Sequence, residues 1–420
     1  MKTESGALQG RRILVAVSGS IAAVKTPLLV SALVKAGAQV RCVVTPSAAQ
    51  LVSPVALASL SRHRCYQDDD QWDPREPRPL HVALAEWAEL VIVAPLSAST
   101  LARWTQGMGD GLLASLLLAC ERPVVAAAAM NTGMWSQPAV RRNWALLADD
   151  PRVLRLAPES GLLACDRIGD GRMADPELIR LAAESALLTQ ASNGSLPWDW
   201  QGRTVLVSAG PTVEGIDPAR VLSNRSSGRM GVLIAQAARF RGASVHLVHG
   251  PLQLPLAWLE GLHCQAIESA EQMQEHLHRL QANAAAVVMA AAVADWRRQG
   301  GASVQKAPKA DLQRTLAEQL EPVPDLLKEL QATKPDGQRL LGFAALSGSD
   351  DEIQALARDK RAAKGCDLLM ANPIDRNGQG FGAAMNGGWL VKTDGSTEGV
   401  PVMDKLALAH RLLDQLVDCF

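Results

Sequence analysis

The sequence predicts an α/β protein of two doubly wound domains, each built on a mostly parallel sheet. Three observations carry this. A buried-strand run, a Gly-containing turn, a helix-length stretch and a second strand occur in that order twice. RRILVAVSGS (11–20) leads to GAQVRCVVT (37–45), and GRTVLVSAGPT (202–212) leads through a helix reaching 241 to GASVHLVHG (242–250). Further apolar strand runs follow in each half: LVIVAP (90–95) and PVVAAAAM (123–130), then AAVVMAA (285–291), RLLGFAA (339–345) and CDLLMAN (366–372). Between the halves, QASNGSLPWDWQ (190–201) has the composition of a linker. The expected organisation is a first domain over 1–189, a linker over 190–201 and a second domain over 202–420.

Taken in order, the turn after the first strand is VSGSIAAVK (17–25), where Ser18, Gly19 and Ser20 sit as a phosphate would meet a helix N-terminus. DDDQWDPREPRP (68–79) reads as a solvated surface loop. His81 opens the helical HVALAEWAE (81–89), and LVIVAP runs into a second small, hydroxyl-rich loop, LSAST (96–100). Two such loops at strand ends suit a phosphorylated cofactor. Asn131 ends the strand AAAAM, and Cys165 lies in PESGLLACDRIGDGRM (158–173), a Gly-rich loop of the kind that closes over a site. In the second half, SNRSSGRMG (223–231) lies ahead of a helix beginning near Gly228, with Arg220, Arg225 and Arg229 close by. Free N–H groups, hydroxyls and guanidinium groups together favour a bound anion. Neither strand–helix turn contains G-x-G-x-x-G, which disfavours a pair of NAD-binding domains.

Composition narrows the partners. Of 420 residues, 48% are hydrophobic and 20% charged, with a formal net charge of −1. Such a chain has no field to hold a nucleic-acid backbone or an anionic membrane, so anion recognition must be local. The seven Cys (42, 65, 120, 165, 264, 366, 419) show no C-x-x-C, which speaks against a zinc ribbon or disulfide framework and for a reducing compartment. MKTESGALQG lacks the apolar core of a signal peptide, and AAAVVMAAAVA (284–294) is too short to span a bilayer. The expectation is a soluble cytoplasmic protein with no nucleic-acid or membrane partner.

The first-half strings resemble the flavin-dependent cysteine decarboxylases over residues 11–189: SGSIAA (18–23), HVALAEWAE, PLSAST (95–100), AAMN (128–131) and PESGLLACDRIGDGRM. Ser99 stands where that family usually has Asn, Gly111 for Asn, Ala128 for Pro, and Asp166 for the Gly after the Cys. The resemblance implies a flavodoxin-like flavoprotein that holds flavin mononucleotide (FMN) through Ser18, Gly19, Ser20, Thr45, Ser97, Ala98, Ser99 and Thr100. It implies decarboxylation of 4′-phosphopantothenoylcysteine to 4′-phosphopantetheine. Cys165 would supply the product's proton, Asn131 would recognise the substrate carboxylate, and His81 would have an acid/base or flavin-side role. It also implies a homo-oligomer built on trimers.

Residues 202–419 resemble the phosphopantothenate–cysteine ligase domain fused behind that decarboxylase in bacteria. The matching strings are SAGPT (208–212), DPARVLSNRSSGRMG (217–231), AAVADW (291–296), VQKAPK (304–309), LLGFAA (340–345) and DKRAAKGCDLLMAN (359–372). Leu346 and Ser347 stand where Glu and Thr are usual. The resemblance implies a Rossmann-like domain that uses cytidine triphosphate (CTP) with Mg2+ to activate 4′-phosphopantothenate as an acyl cytidylate, which L-cysteine then attacks. Arg220 and Asn224 match positions tied to that intermediate; Ala291, Pro324, Asp325 and Phe343 match nucleotide-binding positions. Lys306, Lys309, Lys360 and Lys364 would offset the triphosphate charge, and Asp295 would hold the metal or a nucleotide edge. A non-catalytic regulatory flavoprotein of the same fold is the alternative, and the presence of Cys165, Asn131 and SNRSSG weighs against it.

Overall fold

The computed structural model describes residues 6–420 except 165, 307, 309–311 and 313–315, and it divides into two compact units, Met1–Trp198 and Asp199–Phe420. In the first unit, β1 (Arg12–Val17), β2 (Gln39–Val44), β3 (Cys65–Tyr66), β4 (Leu90–Leu96), β5 (Val124–Ala128) and β6 (Val153–Leu156) form one sheet in the order β3-β2-β1-β4-β5-β6. Every pairing is parallel. The strand order reverses between β1 and β4, which opens a crevice at their carboxyl ends. Ile13–Val17 and all of β4 are buried, as strands covered on both faces must be.

The helices of this unit are α1 (Thr26–Lys35), α2 (Pro46–Ala49), α3 (Pro54–Ser61), α4 (Leu80–Trp87), α5 (Ala98–Thr105), α6 (Leu112–Ala119), α7 (Thr132–Trp135), α8 (Pro138–Leu146) and α9 (Pro176–Thr189). Leu84 of α4, Leu101 and Trp104 of α5, and Leu112 and Leu116 of α6 pack on Val91 and Val93 of β4 in one apolar cluster. Two local expectations are corrected. The Gly-rich flap is a hairpin rather than a loop: β7 (Glu159–Leu162) pairs antiparallel with β8 (Ile168–Arg172). The acidic stretch is not merely solvated, because Asp68 Oδ1 accepts the Leu112 N–H at 3.2 Å and so caps α6. Burial raises the Asp68 pKa from its ordinary value, and the Leu112 N–H opposes that shift.

The second unit carries β9 (Thr204–Ala209), β10 (Val213–Asp217), β11 (Arg220–Ser223), β12 (Ser244–His249), β13 (His263–Ala266), β14 (Ala286–Met289), β15 (Trp296–Arg298), β16 (Leu320–Pro322), β17 (Arg339–Leu346), β18 (Leu368–Pro373), β19 (Met385–Val391) and β20 (Thr397–Asp404). Eight of these form the main sheet, ordered β13-β12-β9-β14-β17-β18-β19-β20. It is parallel as far as β18, and β19 and β20 join antiparallel. The hairpins β10–β11 and β15–β16 stand apart from the main sheet. Its helices include α10 (Arg229–Phe240), α11 (Ala270–Gln281), α12 (Leu326–Ala332), α13 (Asp350–Lys364) and α14 (Lys405–Val417). Leu277 of α11, Leu330 of α12 and Ile353 of α13 share one core cluster on one face of the sheet. Helices α10 and α14 pack on each other. In the 190–201 stretch, Trp198 Nε1 donates to Pro151 O at 3.0 Å, while Trp200 is fully buried and meets Phe420 edge-on.

Candidate active sites

In the first unit a pocket of about 240 Å³ opens at the β1/β4 reversal, lined by Gly19, Thr45, Ser47, Ser97, Ser99 and Thr100 with Asp68, Arg103, Asp110 and Gly111 among others. Two hydroxyl caps line it, Thr45 on α2 and Ser97 on α5, while Ser20 caps the adjacent 3-10 turn Ile21–Lys25 and, like Ala98, is not among the lining residues. Ser18 is fully buried and holds the two loops together, donating to Pro95 O at 2.7 Å and accepting from Ser97 N at 2.8 Å. Its hydroxyl is therefore committed to loop geometry, whereas Ser99 presents an exposed one. A Cβ on Gly19 would lie 2.5 Å from the Ser47 Cβ, so only glycine lets these loops approach so closely. Convergent helix starts and hydroxyls suit the phosphate end of a flavin cofactor.

Asn131 caps α7, its Oδ1 accepting the Gly133 N–H at 2.8 Å. The flap is tied beside it: Met130 N–H bonds Gly171 O at 3.1 Å, and a Cβ on Gly169 would come within 2.8 Å of Thr132. Asn131 and the flap are thus brought together. Cys165, between the two flap strands, lies outside the described residues. His81 sits half-buried in the first turn of α4 and is not among the residues lining the pocket.

The second unit holds a larger cleft, about 590 Å³, at the carboxyl ends of β14, β17 and β18 beside the start of α10. The loops after β9 and β14 are stitched across the sheet: Ala292 N–H bonds Gly210 O at 2.9 Å, Ala294 N–H bonds Thr212 Oγ1 at 2.9 Å, and Asn224 Nδ2 donates to Val293 O at 2.8 Å. Helix α10 begins at the cleft with Gly228 as its N-cap, φ +76°, and no acidic residue in its first turn. Gly231 lets α10 lie close on β9, since a Cβ there would be 2.6 Å from Ala209 Cβ and 2.8 Å from Ser208 O. Asn224, Ala291, Asp295, Pro324, Asp325, Phe343, Lys360 and Lys364 all line the cleft. Asp325 caps α12 through Oδ1 and pairs with Lys364 through Oδ2.

Two expected residues are not brought there. Arg220 pairs with Asp217 at 3.1 Å on the β10–β11 hairpin, and Lys306 is exposed; neither lines the cleft. Lys309 lies outside the described residues. Conversely, Lys405, Asn372 and Asn386 line the cleft without having been singled out. Asn372 ends the string DKRAAKGCDLLMAN, so its position was within reach; Lys405 and Asn386 sit in no distinctive string. Among the described residues, no group of three or more His, Cys, Asp or Glu side chains could hold a metal, and no helix is long and apolar enough to cross a membrane.

The fold and the two sites define a two-domain α/β protein with a cofactor crevice in one unit and a nucleotide-sized cleft in the other. A flavoprotein family model matches residues 1–184, and the model for the C-terminal domain of DNA/pantothenate metabolism flavoproteins matches residues 200–419. The coenzyme A biosynthesis bifunctional protein CoaBC of Bacillus subtilis (strain 168) is 38% identical over 412 residues, which is 97% of this chain and 97% of that protein. The proteins of the same name from Vibrio parahaemolyticus and Escherichia coli (strain K12) are each 34% identical, covering 97% and 98% of this chain and 98% and 97% of their own lengths. The chain belongs to the family of bifunctional coenzyme A biosynthesis proteins.

Proposed function

We propose that the chain carries out two consecutive steps of coenzyme A biosynthesis. The second unit joins 4′-phosphopantothenate to L-cysteine at the expense of CTP, and the first decarboxylates the resulting 4′-phosphopantothenoylcysteine to 4′-phosphopantetheine. Full-length similarity to bifunctional relatives supports the pairing of activities. The observation that carries the ligase assignment is the convergence of Asn224, Asp295, Asp325, Phe343, Lys360 and Lys364 on one cleft.

In the ligase step, Lys360 and Lys364 offset the triphosphate charge while the substrate carboxylate attacks the α-phosphorus and pyrophosphate leaves. Asp295 would hold the Mg2+ that accompanies the nucleotide, and the ion would help offset the triphosphate charge. Asn224, held by Val293 O, positions the acyl cytidylate for attack by the cysteine amine. In the first unit the residues fit FMN, and Ser99 with the backbone around Gly19 and Ser97 would hold its phosphate. When bound, the flavin supplies the transient oxidation of the substrate thiol that makes loss of carbon dioxide feasible. Asn131 holds the substrate carboxylate, Cys165 delivers the proton that completes the product, and the flap excludes water. His81 is assigned an acid/base or flavin-side role, and the chain a homo-oligomeric assembly built on trimers.

The test has two readouts. The purified protein should be yellow from bound FMN; a colourless protein that takes up no added flavin refutes the first-unit assignment. Pyrophosphate release with phosphopantothenate should favour CTP over ATP, and equal use of both would overturn the nucleotide assignment. Asn224→Ala should slow cysteine transfer by roughly 10²–10³ while nucleotide binding persists.

A further inference from the structure

The ligase cleft contains a buried cation that no motif announces. Lys405 opens α14 and is only 4% exposed, yet it lines the cleft. Its Nζ donates to the Gly380 carbonyl at 3.1 Å, and no carboxylate among the described residues lies within ion-pair distance of it. The nearby acid, Asp404, has its Oδ1 committed to the Leu406 N–H at 2.7 Å as the helix cap. Burial, then the neighbouring Arg229 guanidinium, pull the Lys405 ammonium down to about 8, with Asp404 opposing them. Two cations side by side in a half-enclosed space, without a facing acid, are unfavourable until an anion joins them.

The surroundings fit that anion. Arg229 is the first residue of α10, and Ser226, Ser227 and the α10 N-terminus line the same cleft. Helix α14 packs on α10, whereas Lys360 and Lys364 belong to α13, which packs with α11 and α12 in the core on the other face of the sheet. The cleft therefore has a cationic pole supplied from each face.

We propose that Lys405, with Arg229 and the start of α10, anchors a phosphate group of a ligase substrate. This rests on the ligase reading above. The phosphate is either the polyphosphate of the nucleotide or the phosphomonoester of the acyl substrate, and the two sources are separable by kinetics.

Lys405→Met and Lys405→Arg in the full chain are compared with the parent by KM for CTP, for phosphopantothenate and for cysteine. Loss of a charged phosphate contact should raise KM for one phosphorylated substrate by about tenfold or more. The cysteine KM should be unchanged, and Lys405→Arg should restore most of the affinity. The substrate whose KM moves identifies the phosphate. Unchanged KM for both phosphorylated substrates in a folded Lys405→Met enzyme overturns the proposal.

If Lys405→Met does not fold, lysine side-chain NMR of the parent protein decides. The signal lost in Lys405→Arg should titrate near pH 8 alone and at higher pH with CTP or phosphopantothenate. No movement with either ligand overturns the proposal. A parent enzyme that releases no pyrophosphate defeats the ligase reading instead, and the NMR titration with inorganic pyrophosphate then tests Lys405 independently.

Discussion

Asp166 adopts φ +58° in the turn of the flap, at the position where the flavin-dependent cysteine decarboxylases usually have Gly. Asp is among the few side chains that tolerate the left-handed region, which accounts for the exchange. Asp166→Gly should leave thermal stability and flap function intact. Asp166→Val should lower stability by about 1–2 kcal/mol, read by denaturant melting, because a β-branched residue is strained there. Equal melts for the two variants would contradict this. Gly111 has a related explanation: a Cβ there would come 2.9 Å from Asp68 Oδ2, the carboxylate that caps α6, so glycine leaves room for that cap. Leu346, which replaces an acid, is buried in the apolar cluster with Leu326 and Leu327. What the sequence revealed at this scale was what sits in distinctive strings, such as Asn224 in SNRSSGRMG. Lys405 was invisible because a lone Lys before an amphipathic helix looks like any surface residue; only the fold buries it. Ser18 was legible as a loop residue, but its commitment to Pro95 and Ser97 depends on two strands far apart in sequence meeting at the crevice.

Helices α10 and α14 are the elements on which the ligase cleft rests, and both are held by groups whose charge matters. Arg241, just past α10, pairs with Asp199 and Asp414 and donates to His410 O at 3.1 Å. His410, within α14, is held to about 3 by burial and then by Arg241, with Asp199 opposing. Since the unfolded chain protonates His near 6.5, stability attributable to neutral His410 is fully present above that pH and is lost as pH falls toward 3. The loss approaches about 1.4 kcal/mol per pH unit inside that window. Melts at pH 7.5 and 5 should therefore diverge more for the parent than for His410→Leu; parallel losses would contradict the assignment. Gly231 governs the same pair from the other side. Gly231→Val should destabilise the second unit by about 1–3 kcal/mol and depress ligation more than decarboxylation, assayed separately. Among elements, the continuous apolar strand runs were legible because buried parallel strands need no alternation. The β7–β8, β10–β11 and β19–β20 hairpins were not, since short, Gly-rich or half-exposed strands lack a period that sets them apart from loops.

At the scale of the molecule, the two sites belong to different compact units, so their chemistry should be separable. If Cys165 has the proposed proton-donor role, Cys165→Ser should halt decarboxylation after carbon dioxide loss, while pyrophosphate release continues at the parental rate. Full phosphopantetheine production by that variant would make the flap thiol merely structural. The most direct measurement supplies the parent protein with 4′-phosphopantothenate, CTP and L-cysteine in one vessel and follows pyrophosphate, carbon dioxide and 4′-phosphopantetheine together. The account predicts equal amounts of all three, with 4′-phosphopantothenoylcysteine as the transient species between the steps. Pyrophosphate without carbon dioxide, or neither from a flavin-loaded protein, would contradict it.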